Sequence, residues 1–373
     1  MFLGLGKSYY LGIDFGTSLI KAVELTLEKG QPKLVNFGQV DLARLEKGQM
    51  SEGRTYDEEV VLYLRALLTK MQPKSSEAAV AMPAFTGLIS LVELPQMKEE
   101  ELKEAIQFEA RKYIPSSLDD VALSWEVVGE RPSEDQPNNS ILEILLVAAL
   151  NKEVARYRQF VQDTHLKLRF LELETFSLVR SIVGNDPGLF LVVDIGSRAT
   201  NLVLVDEGLV KVSRNLDVGG RDITRSLMEG LSITAERAES LKKSGKDFLG
   251  DPASALVFPT LELIAGEISR MLSGYQARYP DKSCQGIILS GGTAQFTGLT
   301  DHYAKIFGLP VSLGNPWRHI RYDDDVAAEV ESMGTSFSVA IGLALSGIDA
   351  LAPRKEFSGK KHFSLKEILN KKL

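Results

Sequence analysis

Apolar positions along the chain form two similar patterns about half a chain apart. Residues 11–25 read LGIDFGTSLIKAVEL, and residues 191–205 read LVVDIGSRATNLVLV. Each stretch is an apolar strand, then Asp-apolar-Gly-Ser/Thr, then a second apolar strand, which is typical of a β-hairpin. The two copies lie 180 residues apart in a chain of 373. This internal repeat predicts two related α/β halves that each open with a hairpin.

Between the two hairpins the pattern indicates an additional unit. Helical spacing joins Leu102, Ile106, Ala110 and Tyr113 within residues 98–113. The other predicted elements are a strand ending at residues 92–95, a strand near 123–127, a polar loop at 129–139, a strand at 141–149 and a helix near 153–164. This strand-helix-strand-strand-helix order predicts a compact inserted subdomain.

The second half continues mostly as helices. Helical patterns fill residues 222–278, and a buried strand at 286–289 leads into Ser290-Gly291-Gly292-Thr293. A helix rich in small residues is predicted at 336–346, and residues 354–373 form a lysine-rich tail. The second half is therefore expected to pair a sheet with a helical subdomain.

Charge and cysteine content exclude several classes of function. The formal net charge of -7 argues against binding nucleic acid through phosphate neutralisation. Cys284 is the only cysteine, which excludes an internal disulfide and a thiolate zinc site and fits a reducing cytosol. No stretch reaches the roughly 20 apolar residues that span a bilayer. We therefore expect a cytoplasmic protein whose contact with a membrane is indirect.

The two hairpins carry the residue types of a phosphate site. The candidate residues are Asp14, Gly16 and Thr17 in the first hairpin and Asp194, Gly196 and Ser197 in the second. Glycine lets backbone N–H groups approach an anion, the hydroxyls add donors, and the aspartates can hold waters on Mg²⁺. A single copy of this short motif is more readily explained by an ordinary hairpin turn. Two copies favour a clamp on a polyphosphate.

A glycine pair gives a third candidate element. Gly291 and Gly292 follow the strand at residues 286–289 and precede a helix, so a flat nucleoside could lie against bare backbone there. The alternative is an ordinary β-to-α turn. Its position after the two hairpins favours the nucleoside interpretation.

The order of two phosphate hairpins, a Gly-Gly turn and a small-residue helix resembles the actin, heat-shock chaperone and sugar kinase superfamily. The insertion resembles that of the FtsA and PilM branch, and several stretches resemble the PilM family of type IV pilus assembly proteins. These stretches are Leu94-Pro95-Gln96-Met97, Tyr113-Ile114-Pro115, Thr200-Asn201, Val218-Gly219-Gly220 and Ser290-Gly291-Gly292-Thr293-Ala294. The resemblance implies an α/β, actin-like (ribonuclease H-like) fold, in which duplicated domains flank a nucleotide cleft and carry an FtsA/PilM-type inserted subdomain.

The resemblance also implies a division of the chain. Residues 1–85 and 167–189 would form the first actin-like subdomain (1A), 86–166 the inserted subdomain (1C), 190–221 and 286–353 the second actin-like subdomain (2A), 222–285 a helical subdomain (2B), and 354–373 a basic tail.

The resemblance further assigns residues to an ATP and Mg²⁺ site. The nucleotide-binding set is Asp14, Gly16, Thr17, Ser18, Lys21, Asp194, Gly196, Ser197, Gly219, Gly220, Glu239, Lys242, Gly291, Gly292 and Thr293, and the metal set is Asp14, Asp194 and Glu174, acting through water. Simpler explanations remain: Lys21 as a solvated lysine, Glu239 with Lys242 as an i,i+3 surface pair, and Glu174 as a solvated helix N-terminus. Each of these positions needs a structural test.

Two departures argue for binding rather than fast hydrolysis. Arg198 replaces the small residue that is usual after the second-loop hydroxyl, and Asn201 stands where chaperone ATPases carry an aspartate. No residue is identified to hold a lytic water. We predict at most slow ATPase activity, with no catalytic residue assigned.

The family resemblance implies a scaffold of the type IV pilus, or of a related secretion or competence system, at the inner membrane. Its partner would be the cytoplasmic N-terminal peptide of a PilN-like bitopic membrane protein, held beside the insertion. The alternatives are an FtsA-like cell-division filament protein with a C-terminal amphipathic helix, which Leu365, Ile368 and Leu369 could form, and a small-molecule kinase. Self-association stays open, and the tail is expected to bind membranes weakly at most.

Overall fold

Three β-sheets and eleven helices organise the part of the chain that the structure describes. The structure is a computed structural model and describes residues 8–46, 48–114, 116–132, 140–250 and 256–349. The strands are β1 (Tyr9–Phe15), β2 (Leu19–Glu28), β3 (Gln31–Asp41), β4 (Glu77–Met82), β5 (Gly87–Pro95), β6 (Val121–Pro132), β7 (Ser140–Leu150), β8 (Lys167–Leu173), β9 (Leu189–Ile195), β10 (Thr200–Asp206), β11 (Leu209–Leu216), β12 (Gly286–Ser290) and β13 (Val311–Leu313). The helices are α1 (Ala43–Glu46), α2 (Tyr56–Met71), α3 (Glu99–Ala110), α4 (Asn151–Gln162), α5 (Glu174–Ile182), α6 (Gly220–Leu231), α7 (Ala235–Lys242), α8 (Pro259–Arg278), α9 (Leu299–Phe307), α10 (Ala327–Met333) and α11 (Ser338–Asp349). The basic tail, residues 354–373, lies outside the described residues.

The first two sheets have the same topology. The first runs β3-β2-β1-β4-β8, and the second runs β11-β10-β9-β12-β13. In each, an antiparallel hairpin and its third strand are followed by strands parallel to the first. The hairpin registers also match, because Asp14 pairs across the strands with Lys21 and Asp194 pairs with Asn201. The duplication predicted from the repeat is therefore present in the backbone.

The insertion forms the third sheet, β5-β7-β6. Helix α3 packs on it through Leu102, Ile106 and Ala110, three of the four residues whose spacing predicted the helix. The prediction was wrong for the fourth, Tyr113, because the helix ends at Ala110 and Tyr113 is 42% exposed. Helix α4 closes the insertion in sequence, but its apolar face joins the core of the first sheet instead. The Phe15 ring lies 5.5 Å from that of Tyr157 and 5.4 Å from that of Phe160. Removal of α4 would consequently expose the first sheet.

Buried polar contacts hold the insertion against the second half. Lys211 on β11 donates to Glu143 on β7 at 2.6 Å, and the Tyr279 hydroxyl donates to the other Glu143 oxygen at 2.8 Å. Arg278 and Arg131 both pair with Glu93 on β5. The lysine and Glu143 side chains are about nine-tenths buried. The insertion therefore bridges the two halves on the side where β5 meets β11.

Two helices cross between the sheets at very short range. Helix α5 leaves the first sheet, and α11 returns from the second half to pack on β1 and β2. A Cβ on Gly12 would lie 2.3 Å from the Ala340 carbonyl oxygen, and a Cβ on Gly342 would lie 1.9 Å from that of Ser177. Only glycine fits where backbone meets backbone this closely. Among the described residues, no helix combines the length and apolar character needed to cross a membrane.

Candidate functional site

Three carboxylates converge where the two hairpins face each other. Asp14 lies near the end of β1, Asp194 lies near the end of β9, and Glu174 is the first residue of α5. Burial raises the pKa of Asp14 to about 6, with Lys21 opposing this shift and Asp194 adding to it. Burial also raises the pKa of Glu174 to about 8, and both aspartates contribute. The carboxylates are thus close enough to disfavour one another's charge.

Asp194 has a different local environment from Asp14. Burial raises its pKa, while a hydrogen bond with Ser290 and the charge of Lys21 oppose the rise. Ser290 ends β12 directly beside Asp194 in the parallel register, and its hydroxyl lies 3.2 Å from that of Ser338. Sequence reasoning missed this role of Ser290. The signal was available, because neighbouring parallel strands end at the same edge of a sheet.

Lys21 is the cation nearest to this acidic group. Its ammonium nitrogen lies 4.0 Å from Asp14 and donates to the Ser336 carbonyl oxygen at 2.6 Å. The side chain is only 13% exposed. A freely solvated lysine is therefore excluded as the description of this position.

The second loop is built from glycines that touch one another through the backbone. The Gly220 N–H donates to the Gly196 carbonyl at 2.9 Å, and the Thr293 hydroxyl donates to the same oxygen at 3.3 Å. A Cβ on Gly219 would lie 2.8 Å from the carbonyl oxygens of Gly196 and Ser197. Gly219 and Gly220 begin α6, and the Arg221 N–H donates to the Ser197 carbonyl at 2.9 Å, so the first N–H groups of this helix hold the second loop in place.

Glu239 and Lys242 form a pair on α7, but the pair is more than a surface contact. The Lys242 nitrogen lies 2.7 Å from Glu239 and donates to the Gly220 carbonyl at 3.0 Å and to the Thr224 hydroxyl at 2.9 Å. Burial lowers the pKa of Lys242, against the opposing effect of Glu239. These contacts join α7 to the start of α6 beside Thr293.

The Gly-Gly turn has one constrained and one open glycine. Gly291 adopts a φ of +86°, and a Cβ there would lie 2.5 Å from the Ile195 carbonyl oxygen. Its own carbonyl accepts from the Thr335 hydroxyl at 2.7 Å. Gly292 is exposed, and nothing lies within 4 Å of where its Cβ would be. The turn therefore offers one face of bare backbone to a ligand.

Gly16, Thr17 and Arg198 share a second feature, a cavity of about 460 Å³ beside the first loop. Ser18 lies just outside it, where its carbonyl accepts from the Leu42 N–H at 2.8 Å. The cavity walls come from α2, α4 and the turn after β4, through Tyr56, Val60, Pro83, Phe85, Thr86, Glu153, Arg156 and Tyr157. Arg156 is fixed there by Asp57, with nitrogen–oxygen distances of 2.6 to 3.0 Å. Sequence reasoning did not identify this cavity, whose residues are distant in the chain.

The acidic group fits a hydrated cation better than a directly ligated one. Within the described ranges, no three His, Cys, Asp or Glu side chains come close enough together to ligate a metal ion directly. Partly buried carboxylates with raised pKa values would still gain from a divalent charge held through water. Glu174 also accepts from the Ala84 N–H at 2.8 Å, which leaves its second oxygen for such a contact.

Comparisons with known proteins agree with this architecture. The chain resembles the solved PilM–PilN type IV pilus biogenesis complex with a TM-score of 0.75 and 23% identity, over 91% of this chain and 98% of the other. It is 21% identical to the cell division protein FtsA of Enterococcus hirae over 82% of this chain and 78% of that protein. FtsA of Neisseria meningitidis serogroup B is 24% identical, over 41% of each protein. The fold is therefore the actin-like fold that the motif order predicted.

The family model described as "Type IV pilus assembly protein PilM" matches residues 12–348. This range includes both hairpins, the insertion and the Gly-Gly turn. The resemblance inferred from the sequence motifs is thereby confirmed. The chain belongs to the PilM family of type IV pilus assembly proteins.

Proposed function

We propose that this protein is an ATP-binding scaffold of a type IV pilus assembly complex. The observation that carries the proposal is the convergence of Asp14, Asp194 and Glu174 between two glycine loops. Buried carboxylates that repel one another are costly without a cation, so the arrangement favours a bound Mg²⁺–nucleotide. The hydroxyls of Thr17 and Ser197 would donate to phosphate oxygens, and Gly292 would lie against the nucleoside.

The cleft supports binding better than turnover. Asn201 donates to the Thr175 hydroxyl at 3.0 Å and accepts from the Ser213 hydroxyl at 3.3 Å, so its amide is held by the protein. Mg²⁺, when bound, would neutralise phosphate charge between the carboxylates. We therefore propose ATPase turnover well below the typical enzyme value of about 10 per second.

Thermal unfolding tests the nucleotide site. ATP with Mg²⁺ at 100 times its dissociation constant should stabilise the protein by about 2.7 kcal/mol if it binds only the folded state. The variant Asp14→Asn with Asp194→Asn should lose this shift. Exposed Asp281→Asn with Asp301→Asn is the control and should keep it. A full ATP–Mg²⁺ shift in the first variant would refute the site.

We further propose that the cavity beside the first loop holds the N-terminal peptide of a PilN-like partner. The similar solved structure is a complex of PilM with PilN. In this chain the cavity lies where the insertion joins the first sheet, and it combines the exposed Phe85 with aromatic side chains of α4. An apolar cleft with a few charged groups suits an extended peptide.

Peptide titration tests this second proposal. Phe85 is 48% exposed, so Phe85→Ala should weaken binding of a PilN-like N-terminal peptide with little loss of stability. Phe108→Ala is a matched control, because Phe108 is 66% exposed on α3 and does not line the cavity. Equal loss of peptide affinity in both variants, or in neither, would place the peptide elsewhere.

The proposed subdomain boundaries need one experimental precaution. Deleting residues 86–166 would remove α4, which packs on the first sheet and lines the cavity. A deletion of residues 87–150 instead keeps α4 and removes the three-stranded sheet and α3. It also keeps every residue that lines the cavity except Leu150, so we propose that this shorter deletion preserves both nucleotide and peptide binding. Location at the cytoplasmic face of the inner membrane would then follow from the partner, and fractionation with and without the PilN-like protein would test it.

A further inference from the structure

The outer edge strands of the two duplicated sheets have different neighbours. The edge strand of the second sheet, β11, lies against β5 of the insertion. The edge strand of the first sheet, β3, meets only an isolated parallel bridge between Lys33 and Arg321 within the described residues. Two backbone hydrogen bonds of 2.8 and 2.9 Å form at this bridge. The described chain does not continue the pairing along the rest of β3.

A groove of about 570 Å³ runs beside this open part of β3. One wall is β3 from Leu34 to Gln39, a second is the end of α2, and the third is residues 323–329. The Phe37 N–H is not used in the sheet and instead donates to the side-chain oxygen of Asn36 at 2.9 Å. The Asn36 side chain thus covers one backbone group of the edge, and the groove leaves room for an extended segment to lie beside β3.

The charges in the groove indicate the chemistry of such a segment. Its lining includes Asp323, Asp325 and Glu329 against a single lysine, Lys70. Asp323 also pairs with Lys33 at 2.9 Å, so the acidic wall already attracts one basic side chain. An acidic groove beside an open strand edge suits an extended basic peptide.

The helix that precedes the basic segment shares a hydrophobic cluster with the groove. Ile348 lies in the last turn of α11, in the same hydrophobic cluster as three groove-lining residues, Leu34, Phe37 and Val326. Residues 354–373 carry seven Lys or Arg against two Glu. An extended chain advances about 3.3 Å per residue, so residues 350–373 are long enough to reach and follow β3 from this point.

We propose that the basic tail, residues 354–373, docks in this groove of its own chain beside the edge of β3. The groove supplies the acidic wall, and the tail supplies the opposite charge. Docking in the same chain is favoured because α11 ends in a hydrophobic cluster that includes three groove-lining residues. The proposal is independent of nucleotide and partner binding.

A charge-swap series in the full-length protein tests it by hydrogen exchange. In the starting protein, amides of Phe37 to Gln39 should exchange slowly. Tail reversal, Lys360→Glu with Lys361→Glu, and groove reversal, Asp325→Lys with Glu329→Lys, should each speed this exchange several-fold. Combining the two reversals should restore the protection. Unchanged protection of β9 and β12 would confirm that each variant is folded.

Matched controls and cross-linking complete the test. The control reversal Glu229→Lys with Asp281→Lys alters exposed acids far from the groove and should leave β3 exchange unchanged. Carbodiimide links between tail lysines and Asp325 or Glu329 should form within one chain in a mixture of isotopically light and heavy protein. The proposal would be overturned if links formed only between chains, or if neither reversal changed the hydrogen-exchange protection of β3.

Discussion

The two duplicated halves keep the same backbone and differ in the side chain that faces each loop aspartate. In the first half Asp14 faces Lys21, and in the second half Asp194 faces Asn201. Lys21 brings a positive charge to within 4.0 Å of Asp14, whereas Asn201 is hydrogen-bonded to Thr175 of α5. The first hairpin therefore places a positive charge beside its aspartate. The second hairpin instead uses the matching side chain to hold α5, the helix that joins the halves.

The halves also differ in how closely a helix approaches the first strand. Gly12 in β1 allows the backbone of α11 to touch the strand, whereas the matching position in β9 is the buried Val192. The edge strands diverge as well, since β11 is anchored through Lys211 and β3 borders an open groove. Each difference can be removed by mutation, and the expected effects range from loss of the fold to a change in ligand affinity.

The largest expected effect comes from replacing Gly12 of β1 with valine, the residue at the matching position of β9. Gly12→Val would place a branched side chain where even a Cβ lies 2.3 Å from the Ala340 carbonyl oxygen and 2.7 Å from the Ala344 nitrogen. We expect a loss of about 4 kcal/mol or more in the free energy of unfolding. Urea denaturation measures it. Gly266→Ala on α8 is the control and should be neutral or stabilising, because nothing lies within 4 Å of its Cβ position.

The next effect concerns the edge strand that the insertion covers. Lys211→Met would leave Glu143 buried with only Tyr279 and more distant charges for compensation. We expect a loss of about 3 kcal/mol in the free energy of unfolding. The double variant Lys211→Met with Glu143→Met should recover part of this loss. Equal stability of both variants and the starting protein would show that the buried pair does not hold the insertion.

A third prediction uses the pH dependence of stability without divalent cations. Because folding raises the pKa of Asp14 to about 6 and that of Glu174 to about 8, the folded protein binds more protons than the unfolded chain between about pH 4 and 8. Stability should therefore fall by several kcal/mol as pH rises through this window, because each unit of pKa shift is worth about 1.4 kcal/mol. Asp14→Asn should flatten the profile, and the comparison must be made at matched ionic strength. A profile that rises with pH would contradict this electrostatic account.

The smallest expected effect concerns the two side chains that face the loop aspartates, Lys21 and Asn201. The variant Lys21→Asn introduces into the first hairpin the asparagine that the second hairpin has at the matching position. It should weaken ATP–Mg²⁺ binding about tenfold, which is about 1.4 kcal/mol. Asn201→Ala should change stability through its contact with Thr175 but leave nucleotide affinity nearly unchanged. Isothermal titration measures both affinities. If Asn201→Ala weakened binding as much as Lys21→Asn, the two loops would not have separate tasks.

Local sequence patterns predicted the features that depend on local chemistry. The repeat around Asp14 and Asp194 predicted matching hairpins, and spacing of Leu102, Ile106 and Ala110 predicted α3. Features that depend on distant packing were not predictable. The apolar face of α4 identifies a helix but does not say which sheet it covers, so its contact with Phe15 required the structure.

The candidate site shows the same division. The glycines and aspartates were identifiable because phosphate chemistry requires those residue types in that order. The contact of Lys21 with the Ser336 carbonyl and those of Lys242 with Gly220 and Thr224 join residues far apart in the chain. The spacing of residues along the sequence gives no indication of such contacts. The sequence therefore predicted a set of candidate residues, which stays a prediction, without revealing what holds them.

The close crossing of α5 and α11 limits how the two halves can move. At this crossing the Arg180 side chain also donates to the Gly342 carbonyl at 2.9 Å, and backbone lies directly against backbone. Interleaved side chains can slip past one another, but this contact leaves no such layer to shear. Any rotation of the halves about this crossing must also shift the buried Lys211–Glu143 pair that holds the insertion to the second half. The two contacts therefore restrict the motion of the halves from two sides.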